Sequence, residues 1–284
     1  MIEISDNEFG LLKDYLGSVC GIDVPSDKRY LFVTRLAELL AELGCSSFSD
    51  LYRRLTVRDD HQLRTCLVEA MTTNETSFYR DQHPFVAMSS TILPELARRR
   101  SAKVRGVPPR IRIWSVGCST GEEPFSIAIS VHEWLARQQR FSPGDVSIVA
   151  GDISKRVLAH ARRGIYAAGR LDKLPLDLRG RYFRPVADGY LVREDIRAMV
   201  YFAELNLIDT LEQLGFFDVV FCRNVMIYFS VALKVKVLAQ LCRMLHPGGV
   251  LVMGASENLY GLSDALRPMS VGQTTYYRKE DGSG

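Results

Sequence analysis

Several absences frame this chain of 284 residues. No apolar run approaches the ~20 residues that a membrane span needs, so no direct membrane insertion is expected. The first twenty residues carry Glu3, Asp6, Glu8 and Asp14 and do not resemble a secretory signal peptide. The six cysteines (Cys20, Cys45, Cys66, Cys118, Cys222, Cys242) are scattered, without the paired spacing of a zinc site. They read as reduced thiols of a cytoplasmic protein, and no metal is expected. Internal repeats and low-complexity segments are lacking as well.

What is present is ordinary for a soluble globular protein: 47% hydrophobic and 24% charged residues. The length suits one large domain or one domain with a smaller partner. The net charge of +3 hides an asymmetry. Residues 1–81 hold 9 Lys/Arg against 14 Asp/Glu, and the remainder 27 against 19. Neither balance calls for nucleic acid. The densest basic stretch runs from Arg98 to Arg112; it reads as a helix C-terminus and linker, or as a patch that steers an acidic partner.

The first part of the chain is helical in pattern. Ser5-Asp6-Asn7-Glu8 forms a capping box, followed by Phe9, Leu12, Leu16 and Val19 at helical spacing. Further helices are expected over 27–43, 49–55 and 60–71, and another opens at Pro84. Lys103 to Pro109 reads as a connector. Strands and helices then alternate. Strands are expected at 110–116, 146–151, 219–222 and 250–254, and helices at 123–137, 155–163 and 231–245. That rhythm predicts a parallel, doubly wound sheet. Residues 169–200 interrupt it as a β insert, and 274–278 read as a last antiparallel strand.

The chemistry gathers at Ile111-Arg112-Ile113-Trp114-Ser115-Val116-Gly117-Cys118-Ser119-Thr120-Gly121-Glu122-Glu123-Pro124. A strand, a Gly loop and a helix in this order hold a nucleotide-like ligand against backbone and helix N-terminus. The loop lacks the third glycine of the dinucleotide fingerprint and the Gly-Lys-Ser/Thr of a P-loop. It suits a ligand with ribose and adenine but no pyrophosphate, and S-adenosylmethionine is the obvious candidate. Asp152 ends the next strand, where it would accept ribose hydroxyls or cap the following helix. Arg223, Asn224 and Tyr228 follow a third apolar strand, in the crevice where open α/β sheets bind ligands.

Three segments in order carry a resemblance: Thr73-Asn74-Glu75-Thr76-Ser77-Phe78-Tyr79-Arg80, Ser119-Thr120-Gly121-Glu122-Glu123-Pro124 and Phe221-Cys222-Arg223-Asn224-Val225-Met226-Ile227-Tyr228-Phe229. Gly254-Ala255-Ser256-Glu257-Asn258 is a weaker match. The chain resembles the CheR family, chemotaxis-receptor glutamate O-methyltransferases that use S-adenosylmethionine. The resemblance implies a Rossmann-like class I methyltransferase domain (residues 110–284) with the β insert, preceded by an all-α N-terminal domain (1–80) and a linking helix and connector (81–109). It implies cofactor contacts from Asn74, Thr76, Arg80, Glu123, Asp152, Asn206, Leu207, Arg223 and Asn224, beside the loop glycine Gly117. Arg80 and Tyr228 are the residues expected nearest the transferred methyl. Each also has a plain structural alternative: Glu123 favours a helix N-terminus, Arg80 could pair with Asp81, and Tyr228 could be core.

A glutamate acceptor is ionised at pH 7 (unperturbed pKa ~4.3), so no catalytic His or Asp dyad is required. The expected partner is the helical cytoplasmic domain of a methyl-accepting chemoreceptor. Some family members bind a receptor C-terminal peptide through a Gly-rich loop of the insert. Here Tyr182–Arg193 is short with a single glycine, so independence of that tether is expected, as is a monomer. The N-terminal part is another receptor-facing candidate through Lys28, Arg29, Arg35, Arg53 and Arg54, despite its acidic balance.

Overall fold

The computed structural model describes residues 2–57, 60–101 and 111–280. The expected connector Lys103–Pro109, the adjoining part of the basic stretch, Arg110 and residues 281–284 lie outside them. Four helices open the described chain: α1 (Asp6–Cys20), α2 (Tyr30–Glu42), α3 (Phe48–Val57) and α4 (His61–Met71). The capping box forms as expected, with Ser5 Oγ accepting from the Glu8 N–H and the Glu8 carboxylate from the Ser5 N–H. A cap of this kind stabilises a helix by about 0.5–2 kcal/mol. Glu8 also accepts from the Ser49 N–H at 2.8 Å, which ties α1 to α3. Leu12, Leu16, Phe32, Leu36, Phe48 and Leu51 are buried between the helices. The helix expected from Asp27 begins as a 3-10 turn, Ser26–Lys28, because extended Pro25 leads in and Lys28 N–H bonds back to its carbonyl.

A continuous helical stretch follows: α5 (His83–Ala87), a π turn (Met88–Ile92) and α6 (Leu93–Ser101). Next come β1 (Ile111–Val116), α7 (Glu122–Leu135), β2 (Val146–Asp152), α8 (Lys155–Arg163) and β3 (Ile165–Tyr166). The interrupting region holds α9 (Leu176–Tyr182), β4 (Phe183–Val186), β5 (Gly189–Val192) and α10 (Glu194–Arg197). The chain closes with β6 (Val200–Glu204), β7 (Phe217–Cys222), α11 (Val231–Met244), β8 (Leu245–Met253), β9 (Leu266–Val271) and β10 (Thr274–Lys279).

The main sheet has seven strands in the order β6-β2-β1-β7-β8-β10-β9. The first five run parallel; β10 is antiparallel to β8 and to β9. Ile113 sits between Ile148 and Val219 in register on one face and Trp114 between Val149 and Val220 on the other, so the centre of the sheet is apolar on both faces. Beyond the expected strands, β3, β6 and β9 are new, and β8 starts at Leu245 rather than after the Pro-Gly-Gly. Its pairing with β7 shifts register between Phe217 and Val219, which absorbs Pro247–Gly249 as an irregularity in the strand. A separate sheet, β3-β5-β4, forms the insert, and Val200 belongs to the main sheet.

Two cores result. Helices α5, α6 and α7 cover one face with Phe85, Leu96, Phe125 and Ile127; α11 covers the other with Leu238 and Leu241. Among the described residues no helix is long and apolar enough to cross a membrane. The crevice between the N-terminal helices and the carboxyl edge of the sheet is where the implied residues lie.

Candidate functional site

The loop after β1 turns through positive φ at Gly117, Ser119 and Gly121. A Cβ on Gly117 would approach Val225 Cγ2 to 2.5 Å, so backbone there is closely packed as well as left-handed. The loop is held from outside. Cys118 N–H donates to Gly151 O (2.9 Å), Ser119 N–H to Asp152 Oδ2 (2.8 Å) and Tyr166 Oη to Thr120 O (2.7 Å). The other Asp152 oxygen accepts from Ser154 N–H at 3.0 Å. Ser154, not Asp152, caps α8, so the helix-cap alternative does not describe this carboxylate. Burial pushes the Asp152 carboxyl up from its ordinary pKa, against the pull of the backbone N–H groups of Ser154, Ser119 and Ile153.

Arg223 is the node of the site, with a side chain only 2% exposed. It donates to Glu123 at 3.0 Å, to the Arg80 carbonyl at 2.9 Å and to Asp81 at 2.7 Å. Asp81 is thus the partner of Arg223, not of Arg80. Glu123 also accepts from Ser115 Oγ at 2.8 Å. Burial pushes Glu123 up although Arg223 and Ser115 pull it down. The backbone over this node is strained, with positive φ at Tyr79, Asp81 and Gln82.

Asn224 sits at φ +57, its N–H bound by Glu257 Oε2 at 2.7 Å. The same oxygen accepts from Gly254 N–H at 3.0 Å, so the weakly matching Gly254–Asn258 segment clamps the loop after β7 to the loop after β8. Asn206 Nδ2 donates to Val19 O at 2.8 Å and fastens the sheet edge to the end of α1. Phe229 bridges to Ile22 on the same side. Ser119 Oγ donates to Asn74 O at 3.1 Å, joining the Gly loop to the segment after α4. Arg80 donates to Glu75 O at 2.9 Å and has no ion-pair partner among the described residues.

All these residues line one cavity of about 250 Å³: Asn74, Thr76 and Arg80 on one side; Gly117, Glu123 and Asp152 beneath; Asn206 and Leu207; Arg223, Asn224 and Tyr228. Reading the sequence missed Cys20, Ile22, Met71 and Thr72, which reach the cavity only through packing of the helical part. It also missed Ile153 and Leu205, apolar neighbours of Asp152 and Asn206 that adjacency to those residues could have flagged. Cys118 and Cys222 are buried with thiols pushed well above their ordinary pKa, so neither is a nucleophile.

The CheR methyltransferase SAM-binding domain matches residues 74–275, and the CheR methyltransferase all-alpha domain matches residues 7–72. The chain belongs to the CheR methyltransferase family. A chemotaxis protein methyltransferase of Vibrio parahaemolyticus is 40% identical over 267 residues, covering 93% of each chain. Chemotaxis protein methyltransferase 1 of Pseudomonas aeruginosa is 38% identical over 275 residues, covering 95% of this chain and 97% of that protein. Among solved structures, a DszA carbon methyltransferase aligns at 17% identity with a TM-score of 0.44, covering 99% of this chain and 81% of that one.

This CheR chain is a methyltransferase whose cofactor is S-adenosylmethionine. Its cavity suits that group chemically. Asp152 and Glu123 offer acceptors, and Trp114, Ile153, Leu205 and Val225 give apolar walls. Among the described residues lining it there is no lysine, as fits a ligand without phosphate. Val225, one of those apolar walls, packs against Gly117 where a Cβ would stand.

Proposed function

We propose that this protein transfers methyl groups from S-adenosylmethionine to glutamate side chains on the helical cytoplasmic region of a chemoreceptor, forming γ-methyl esters. The observation that carries the reading is the convergence of five separated segments on one cavity where, among the described residues, Arg80 is the lining cation without an ion-pair partner. When bound, the cofactor supplies a methyl on a positively charged sulfur, which departs without protonation.

The chain's own residues then need only bind, orient and keep out water. Asp152 would accept ribose hydroxyls while its N–H partners keep it in place. Leu205, Leu207 and Asn206 would close on the base. Asn74, Thr76, Glu123 and Asn224 would line the remainder, with Arg223 holding Glu123 and residues 80–81 in position. Arg80 would orient the acceptor carboxylate, which is already ionised at neutral pH. Tyr228 would donate a hydrogen bond or pack beside the reacting centre. No histidine lines the cavity among the described residues, in keeping with chemistry that needs no proton relay.

The reading extends to partners. Gly189 at φ +134 would bring a Cβ to 2.3 Å of the Tyr166 carbonyl oxygen, so the one glycine of Tyr182–Arg193 serves internal packing. That supports independence of a receptor-tail tether. We further propose a cytoplasmic monomer that takes no nucleic acid. Labelled methyl from S-adenosylmethionine, offered to receptor cytoplasmic fragments, tests the function. Base-labile label on glutamate is the expected result; cofactor binding without transfer to any carboxylate contradicts it.

A further inference from the structure

Past Arg80 the molecule opens into a second groove of about 1030 Å³. Glu75, Thr76 and Arg80 line both this groove and the cofactor cavity, so these residues are the partition between them. One flank is the start of α5, another is the turn at 169–173 that leads into α9, and the third is the β9–β10 turn at 271–273. His83 Nδ1 lies 2.8 Å from Thr274 Oγ1 and fastens the first flank to the third. The second flank is fixed by Arg170, which lies 2.7 Å from the buried Glu122 carboxylate in the first turn of α7.

The charges of the groove sort by what lies beneath them. Asp81 is neutralised by Arg223, and Arg170 by Glu122. Arg80 and Lys173 remain, without ion-pair partners among the described residues, as does the exposed carboxylate of Glu75. Val86 contributes an apolar side chain that is 61% exposed. The basic groups proposed for the N-terminal helices are, by contrast, largely committed. Arg29 pairs with Asp6, Arg53 with Asp50 at 2.7 Å, Arg35 donates to Met71 O and Arg54 to Leu43 O, each at 2.7 Å.

We infer that this groove, between the 75–87 segment, the 169–173 turn and the β9–β10 turn, seats the acidic acceptor segment whose carboxylate reaches Arg80. Lys173 pairs with a neighbouring acid of that segment, and an apolar side chain of it covers Val86. The inference rests on the proposed carboxylate acceptor. It is tested with Lys173→Glu and Val86→Glu, both at exposed positions, by methylation of a receptor cytoplasmic fragment and by calorimetry with S-adenosylmethionine.

The expected result is a rise of about tenfold or more in KM for the fragment in each variant, carried by KM rather than kcat, with rescue by Lys173→Arg and cofactor affinity held within about twofold. Unchanged KM in both variants overturns the groove while leaving the acceptor reading in place. Cofactor affinity that weakens in step with KM also overturns it, because the effect then passes through the cavity. A wild-type protein that leaves every fragment unlabelled overturns the acceptor reading and this inference together.

Discussion

The two walls of the cofactor cavity are built on opposite terms. On the sheet wall the polar groups already have protein partners: Asp152 holds Ser119 and Ser154, Glu123 holds Ser115 and Arg223, and Asn224 is held by Glu257. On the facing wall Arg80 gives one hydrogen bond to a nearby carbonyl; past the end of β7 the Tyr228 hydroxyl has no hydrogen-bond partner among the described residues. Groups that are saturated before a ligand arrives fix the shape of a site. Groups left with spare donors meet what enters it. The sheet wall is therefore read as the mould for the cofactor, and the facing wall as the place where the acceptor is handled.

The largest break in this comparison comes from Arg223→Met. It strands Glu123, already pushed up by burial, and unpins Asp81. Removing one partner of a buried charge cluster costs about 3–5 kcal/mol, so thermal unfolding falls by many degrees and calorimetric cofactor binding is lost. If turnover alone dropped, with melting and affinity intact, Arg223 would belong to the other wall.

Gly117→Ala is smaller. The added methyl meets Val225 at a residue with φ +63, and strain of about 1–3 kcal/mol falls on the loop. Cofactor affinity should weaken about tenfold or more, with a modest change in melting. An unaltered affinity would separate the loop from the ligand.

The smallest effect lies away from both walls, at Glu8. Burial raises this carboxyl, but backbone and hydroxyl hydrogen bonds from Ser5 and Ser49 outweigh it and carry the pKa from 4.5 to about 2. A depressed folded pKa gives stability that is present above 4.5 and lost as pH falls toward about 2. Glu8→Gln should melt earlier than wild type at pH 7, and the gap should close across that acid range. Cofactor affinity should not move. A gap that persisted at pH 2 would assign the effect to packing rather than charge.

How much of this was legible in the sequence follows the distance over which each feature is determined. The capping box at Ser5–Glu8, the two glycines of the loop and a carboxylate at the end of β2 are local arrangements, and each appears where local reasoning puts it. The roles differ where partners come from afar. Arg223 is a cross-link to Asp81 and Glu123 as well as a residue lining the cavity, a fact that needs β7 beside β1 in register. Asn206 reads as a loop asparagine until the end of α1 is packed against it. Strand β9 escaped because its pattern is weak: Arg267 and Pro268 sit exposed on an edge strand, where one side needs no ladder partner. Family resemblance supplied the choice among alternatives that spacing left open, most clearly at Arg80 and Glu123.

The division of labour between the walls is tested most directly at Arg80, by measuring S-adenosylmethionine affinity and methyl transfer on the same Arg80→Ala protein. The expected result is a fall in kcat of about 100-fold or more with a rise in the cofactor Kd of less than about fivefold. Equal losses in affinity and turnover, or turnover left intact, would contradict it.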